Sequence, residues 1–439
     1  MSQSAASPAV PPTNSTSSSV DSRDFRLFFS GQLISNLGNS ITDFALPLLV
    51  YQITGSQLGL GLAFAIRMLP FLLFSLPIGA WVDRLDRKKL MIASDVLNAV
   101  LLVPIPILAL AGVLPVELIF VFLFLSSSIS IVFDTGRFAA VYSLVDERDL
   151  VRANGRLRAN FQVTSVIGAP IVGGLIWMGV RLETVLLIDA VSFLVSAVAL
   201  KMVHGSFNPP PDDEPTPVAS IMSDIREGLR FVAGNPLMRA TIAMVTLINL
   251  MTTVVPATII AFGTERLGAS EFELSILTAF GAAGAIALAL SAAPLRERFS
   301  FSVVTFVAVV SAGALVVGLA LSTHLWVAMP LWGLAFGMTI LFNVCLGSLW
   351  QQTTPPRMMG RVMSTIQVVS LSVIPIGAFG GSWIADRTGQ LDLVYVVSGL
   401  SMVAIGIVFF SATALRHPTR YVPEAAPMRT LTTATQSAD

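Results

Sequence analysis

Charge is scarce in this 439-residue sequence, because only 12% of its residues are Asp, Glu, Lys or Arg and the formal net charge is zero. This balance excludes a surface built to bind nucleic acid. A single cysteine, Cys345, and three histidines exclude a disulfide framework and a metal cluster. The sequence also lacks H-E-x-x-H, G-x-S-x-G and G-x-x-x-x-G-K-[ST] patterns. We therefore expect neither an enzyme nor a bound cofactor.

Apolar residues are abundant: 54% of the chain is hydrophobic, and the mean hydropathy is +0.79. About 20 apolar residues cross a bilayer as a helix, and the helix satisfies its own backbone groups. The sequence therefore predicts an all-α polytopic membrane protein with twelve transmembrane helices. The predicted spans lie near 27–51, 58–80, 90–112, 116–135, 160–180, 184–204, 240–262, 273–293, 301–322, 325–346, 363–385 and 392–414.

The basic residues predict the orientation of these spans. With the N-terminus inside, nearly all of the 26 Lys and Arg residues fall in the tails, the inner loops or the inner helix ends. This distribution predicts a multi-pass protein of the cell membrane with both termini in the cytoplasm. The predicted domains are a disordered tail (1–24), a six-helix half (25–204), a linker with an amphipathic helix (205–238), a second six-helix half (239–415) and a tail (416–439).

An internal repeat relates the two halves. The segments GRLRANFQVTSVIGAPI (155–171) and GRVMSTIQVVSLSVIPI (360–376) agree at seven of seventeen positions, including an Arg, a Gln and a Ser. Both segments enter the membrane from the cytoplasmic side, as spans five and eleven. Two six-helix halves related by a parallel repeat are typical of major facilitator transporters.

The stretch GAWVDRLDRKK (79–89) resembles the motif G-x-x-x-D-R-x-x-R-K that major facilitator proteins carry between spans two and three. The matching residues are Gly79, Asp83, Arg84, Arg87 and Lys88. The sequence departs from the family where Asp86 replaces a glycine. The resemblance implies the major facilitator fold, with Asp83 latching the halves together at the cytoplasmic side and the basic residues ordering the loop. Alternatively, these charges serve only to keep the loop on the cytoplasmic side of the membrane.

Other stretches, including LIDAVSFLVSA and MGRVMSTIQ, look like the bacterial branch that holds macrolide-efflux proteins and the enterobactin exporter. Efflux relatives often carry G-P-x-x-G-G in span five. The corresponding GAPIVGG keeps a helix bend at Pro170, Gly173 and Gly174 but has Ala169 in place of a glycine. The resemblance implies a monomeric exporter of small amphipathic compounds that exchanges them for protons. An uptake carrier, a uniporter and a non-transporting sensor are the alternatives.

Two ionisable residues are predicted to meet inside the membrane. Asp43 lies eleven residues before the turn near Thr54 and Arg67 lies thirteen after it, so their depths differ by about 3 Å. Charged groups within spans are costly and mark functional sites. We predict Asp43, paired with Arg67, as the proton-coupling residue, with Asp189 next. A permanently charged pair that only sets helix packing is the alternative.

A polar stripe on span one predicts part of a substrate path. Gln32, Asn36, Asn39 and Asp43 recur every three or four residues and share one helix face. Such a stripe seldom faces lipid, although hydrogen bonding between helices is an alternative role. Further predicted cargo contacts are Gln162, Asn249, Asn343 and Gln367.

Overall fold

The computed structural model describes residues 20, 22–82, 85–204, 207–208, 218–355, 358–412 and 415. Asp83 and Arg84 of the loop motif lie outside these ranges, and so do residues 205–206 and 209–217 of the linker and most of both tails. Regular structure in the described ranges is helical, without strands. The α-helices are α1 (Arg23–Thr54), α2 (Gln57–Val82), α3 (Arg87–Leu102), α4 (Pro104–Leu110), α5 (Val116–Leu144), α6 (Leu150–Trp177), α7 (Leu182–Met202), α8 (Val218–Gly234), α9 (Pro236–Thr252), α10 (Val254–Leu267), α11 (Glu271–Arg298), α12 (Phe301–Leu321), α13 (Leu325–Thr353), α14 (Met359–Leu371), α15 (Ile374–Thr388) and α16 (Leu391–Ala412).

Twelve helical segments of the described chain are long and apolar enough to cross a membrane, which confirms the predicted all-α fold and its span count. Spans three, seven and eleven are each divided into two helices, namely α3–α4, α9–α10 and α14–α15. Pro104 and Pro375 lie in the first turn of the second helix of their spans. Proline lacks the N–H that would continue the preceding helix, which explains these two breaks.

Span five begins earlier than predicted and forms one continuous helix. Helix α6 begins at Leu150, about ten residues before the apolar run, because its charged first turns project beyond the apolar layer. It also continues without interruption to Trp177, with Pro170 inside the helix. The predicted bend therefore does not break this span, whereas its repeat counterpart Pro375 begins a new helix.

The cores of the two halves merge at one end of the bundle and separate at the other. We call the end that holds Arg23, α8 and Ala412 the linker face, and the opposite end the far face. Near the far face, one hydrophobic core contains residues of both halves, such as Leu49 and Ile259. Near the linker face, the first half packs around Phe28 and the second half around Phe342, in separate clusters. The halves thus join at the far face.

The amphipathic helix predicted in the linker is α8, and it packs against the second half. Phe231 and Val232 join a cluster with Val362 and Ile366 of α14. Leu229 is exposed on the other side of α8. The second half therefore holds this part of the linker, with one apolar residue turned outward.

Candidate transport path between the two halves

Three carboxylates of the second half close the far face by accepting hydrogen bonds from the first half. Glu265 accepts from the Tyr51 hydroxyl and the Gln57 amide, at 2.7 Å each. Glu271 accepts from the Gln52 amide. The remaining carboxylate belongs to Asp386, which accepts from the Ser56 hydroxyl at 2.7 Å and from the Leu58 N–H at 3.5 Å.

Close helix packing supports the same closure. A Cβ at Gly61 of α2 would overlap the Ser382 side chain of α15, so these helices approach as closely as glycine allows. A Cβ at Gly173 of α6 would likewise overlap Ser275 of α11. The sequence predicts Gly173 as part of a helix bend. In the structure, spans five and eight contact each other at this residue.

The closure contains no ion pair between the halves among the described residues, because all of its donors are uncharged. Each hydrogen bond to a charged acceptor contributes about 1.5–3 kcal/mol, and less where water competes. A few such contacts can bias a two-state equilibrium without locking it. The far-face contacts therefore have the energetic scale of a gate. We call them the far-face gate.

The predicted pair forms inside the bundle: Arg67 Nη2 lies 2.5 Å from Asp43 Oδ1. The side chains remain 39% and 49% exposed, respectively. Helix α1 is surrounded by α2, α5, α6 and α7 of its own half and also touches α10. Because α1 packs inside the bundle, this exposure marks the space between the halves, where a charged pair avoids lipid.

Asp189 is fully buried behind this pair, between α7 and α1. Its carboxylate accepts hydrogen bonds from Thr42 at 2.5 Å and from Ser192 at 2.9 Å. A Cβ at Gly38 would overlap both Asp189 and Ser192, so this contact requires glycine. Thr42 and Asp43 are consecutive on α1. The Thr42 side chain therefore faces the buried Asp189 carboxyl, and the Asp43 side chain faces the space between the halves.

The polar stripe of α1 is only partly accessible. Asn39 is exposed and Asn36 is half-buried. Gln32 departs from the expectation, because it is 2% exposed and its Nε2 atom finds no hydrogen-bond partner in the described ranges. The polar stripe is buried at Gln32 because the neighbouring Gly31 packs closely against Ala199 of α7. In this state Gln32 is not available to a cargo.

The other predicted cargo contacts are dispersed. Asn343 and Gln367 are exposed and Gln162 is half-buried. Asn249 is occupied, since its amide donates to the Ser370 carbonyl at 2.8 Å and joins α9 to α14. Asn160 of α6, which no sequence pattern singles out, is buried, and neither of its side-chain amide atoms has a partner among the described residues.

The described end of the loop motif holds the start of the linker. The Lys88 ammonium donates to the Val203 carbonyl, and the Arg87 backbone N–H donates to Asn208 Oδ1 at 3.0 Å. Asp86, which replaces the family's glycine, caps α3 by accepting from the Lys89 N–H at 3.1 Å. Arg87 thus connects the first half to the linker, whereas Lys88 bonds within the first half, to the residue that follows α7.

These features define a twelve-span membrane transporter, with a polar path between two six-helix halves that are joined at one face. The sequence profile of the Major Facilitator Superfamily matches residues 28–378. The chain belongs to this superfamily, and it is therefore a transporter of small molecules and not an enzyme.

Relatives confirm the resemblance to the efflux branch. The multidrug efflux pump Tap of Mycolicibacterium fortuitum is 26% identical over 407 residues, which cover 89% of this chain and 96% of Tap. Macrolide efflux protein A of Streptococcus pyogenes is 24% identical over 389 residues, covering 88% and 94%, respectively.

Solved structures of a bacterial homologue of the iron transporter ferroportin share the fold. The inward-facing state has a TM-score of 0.69 at 18% identity, covering 89% of this chain and 98% of that one. The outward-facing state has a TM-score of 0.56 at 19% identity, covering 89% and 99%, respectively. The present arrangement of helices is thus more similar to the inward-facing one.

Proposed function

We propose that this protein exports amphipathic organic compounds across the cell membrane by alternating access, in exchange for protons. The observation that carries the proposal is the Asp43–Arg67 pair, which lies in the space between two halves whose described residues share a hydrophobic core near the far face. A carboxylate in such a position can be reached from one side at a time, as proton exchange requires.

The proposed orientation puts the linker face in the cytoplasm. The excess of basic residues in the loops and tails of this face supports that assignment, and so does the greater similarity to an inward-facing structure. The far-face gate is then the outer gate, closed in the state described here. A cargo reaches the path from the cytoplasm, and the exporting step requires the gate to open.

Asp83 is the proposed latch of the outward-open state. Helix α14 begins at Met359, and Met358 before it provides no side-chain cap for its first N–H groups. A carboxylate near a helix N-terminus is favoured by about 0.3–1 kcal/mol, and by more where it is partly buried. When the linker face closes, Asp83 would supply this carboxylate, and Arg84, Arg87 and Lys88 would order the loop.

The proposed cargo is amphipathic because the path offers uncharged amides on otherwise apolar helices. Asn36, Asn39, Gln162, Asn343 and Gln367 provide exposed or half-buried hydrogen-bonding groups, and the Asp43–Arg67 pair adds charge. Such sites orient a largely hydrophobic ligand with few polar contacts. The names of the efflux relatives support this class of cargo. We further propose that the monomer is the working unit.

Accumulation in cells tests the direction and the class of cargo. Bacteria lacking their own exporters would be loaded with a labelled macrolide, a fluorescent lipophilic cation or a labelled siderophore, with and without this protein. We expect cells with this protein to accumulate less of at least one compound. A protonophore should raise that accumulation to the level of cells without the protein. Higher accumulation would identify an uptake carrier, and lower accumulation insensitive to the protonophore would exclude proton exchange. No change for all three compounds would contradict the proposed cargo class.

A further inference from the structure

The first half contains another buried carboxyl, which the transport path does not use. Asp95 of α3 is 2% exposed, and its Oδ2 atom has no hydrogen-bond partner in the part of the chain that the structure describes. Asn98, one turn further along the same helix face, is also buried with its Oδ1 atom unpaired. Two buried acceptor atoms that lack a hydrogen-bond partner among the described residues therefore lie one turn apart on a membrane-spanning helix.

The neighbouring helices add polar atoms to the same place. Helix α3 packs on α7, and the Ser196 hydroxyl of α7 lies beside the Asp95 carboxyl without a hydrogen bond of normal geometry. Helix α1 approaches α7 at this level, because a Cβ at Gly31 would touch Ala199 and the Ser196 backbone. Gln32, with its unpaired Nε2 atom, follows Gly31 directly. We call Asp95, Asn98 and Ser196, together with the α1 backbone at Gly31 that packs against Ser196, the α1–α3–α7 pocket.

A row of polar residues on α7 joins this pocket to the buried carboxyl of Asp189. Asp189, Ser192 and Ser196 are spaced by three and four residues, share one helix face and are all buried. Asp189 in turn accepts a hydrogen bond from Thr42, the neighbour of Asp43. Polar groups thus extend from the central path into the interior of the first half.

No cation compensates a charge on Asp95 among the described residues. The charged group that interacts electrostatically with the Asp95 carboxyl is another carboxyl, that of Asp189 on α7.

Three cations on the elements around Asp95 have other partners, and Lys201, in the last turn of α7, is exposed. On its own helix, Lys88 bonds to the Val203 carbonyl and Lys89 pairs with Asp86. On α5, Arg137 pairs with Asp134 at 3.0 Å.

Unpaired buried polar atoms are costly, and proteins satisfy them with protons or ordered water. A carboxyl proton on Asp95 would supply a donor to a cluster in which the Asn98 Oδ1 atom has none among the described residues. It would also remove a charge that is expensive inside a span. We propose that Asp95 is a proton-binding carboxyl, held in the hydrated α1–α3–α7 pocket and connected to Asp189 through the polar row of α7. This site is separate from the cargo path and does not depend on the identity of the cargo.

Labelling with dicyclohexylcarbodiimide tests the site in the full-length wild-type protein. The Asp95 proton passes to a nitrogen of the carbodiimide, and the carboxylate oxygen adds to its central carbon. Acyl transfer from oxygen to nitrogen then leaves a stable N-acylurea that retains the whole reagent. Peptide mass spectrometry in neutral buffer should find this adduct on Asp95, with less in alkaline buffer. Asp134, paired with Arg137, is the matched carboxyl that should remain unlabelled.

Infrared spectroscopy covers the case in which the reagent cannot enter the pocket. In neutral buffer the wild type should show a carboxylic acid C=O band that Asp95→Asn loses and that Asp95→Glu retains at a shifted position. An adduct on Asp95, or loss of this band in Asp95→Asn, supports the proposal. An unlabelled Asp95 together with identical bands in wild type and Asp95→Asn overturns it. Neither measurement uses a cargo, so failure here is distinct from failure of the export proposal.

Discussion

The hydroxyl of Tyr51, at the far end of α1, donates a hydrogen bond of 2.7 Å to Glu265 on α10. The same carboxylate accepts from Gln57 at the start of α2, also at 2.7 Å. Glu265 of the second half thereby contacts both sides of the turn that joins spans one and two. The contact is strong enough to favour closure, and its uncharged donors can return to water when the halves separate.

Removing both donors to Glu265 should open the far-face gate. We expect Tyr51→Phe combined with Gln57→Leu to raise the population open at the far face by at least about tenfold, since loss of 1.4 kcal/mol suffices for that factor. The readout is labelling of Ser382→Cys, in a Cys345→Ser background, by an impermeant maleimide added to whole cells. Tyr142→Phe removes an exposed hydroxyl on α5 and is the control. Equal labelling rates in all variants would contradict the gate assignment.

Two adjacent glycines provide a matched test of the contact between spans five and eight. A methyl group at Gly173 meets Ser275, whereas at Gly174 nothing lies within 4 Å. Gly173→Ala should push α11 away, increase labelling of the Ser382→Cys probe and reduce transport. Gly174→Ala should leave both unchanged and stabilise the helix by about 0.5–1 kcal/mol. Similar behaviour of the two variants would show that the close approach at Gly173 does not limit the gate.

The stability of paired variants separates proton coupling from packing at Asp43. Asp43→Asn leaves Arg67 without its counter-charge and should lower stability by about 1–3 kcal/mol, less than the 3–5 kcal/mol of a fully buried pair. Adding Arg67→Gln should restore the melting temperature while transport remains absent. If the double variant recovered both properties, the pair would serve packing alone.

The loop motif offers two aspartates three residues apart with different proposed roles. Asp83→Asn removes the proposed latch and should shift the protein toward the state described here, which slows labelling of Ser382→Cys. Asp86→Asn keeps a side chain that caps α3 well and should change little. An unchanged labelling rate in Asp83→Asn would leave the motif with only its topology role.

Sequence patterns predicted much of the fold because hydrophobic length and helical periodicity decide it. The twelve apolar runs correspond to the twelve spans. The spacing of Asp43 and Arg67 from the turn at Thr54 correctly predicted their ion pair, since helical rise alone fixes the depth of each residue. Helix ends were less predictable, as the charged first turns of α6 show.

The contacts between distant helices were beyond such patterns. Glu265, Glu271 and Asp386 lie at helix ends, where acidic residues are common, and nothing local reveals that they meet the segment from Tyr51 to Leu58. Similarly, the stripe on α1 predicts that Gln32 shares a face with Asp43. Only the packing of Gly31 against α7 shows that this side chain is buried.

Proton movement coupled to cargo in liposomes tests the central claim most directly. Purified protein would be reconstituted with an internal pH dye and an acid interior, and each cargo compound would be added outside. The account predicts alkalinisation of the interior that depends on cargo, is lost in Asp43→Asn and persists in the control Asp392→Asn at the far end of α16. Cargo uptake without any pH change, or equal proton movement in wild type and Asp43→Asn, would contradict it.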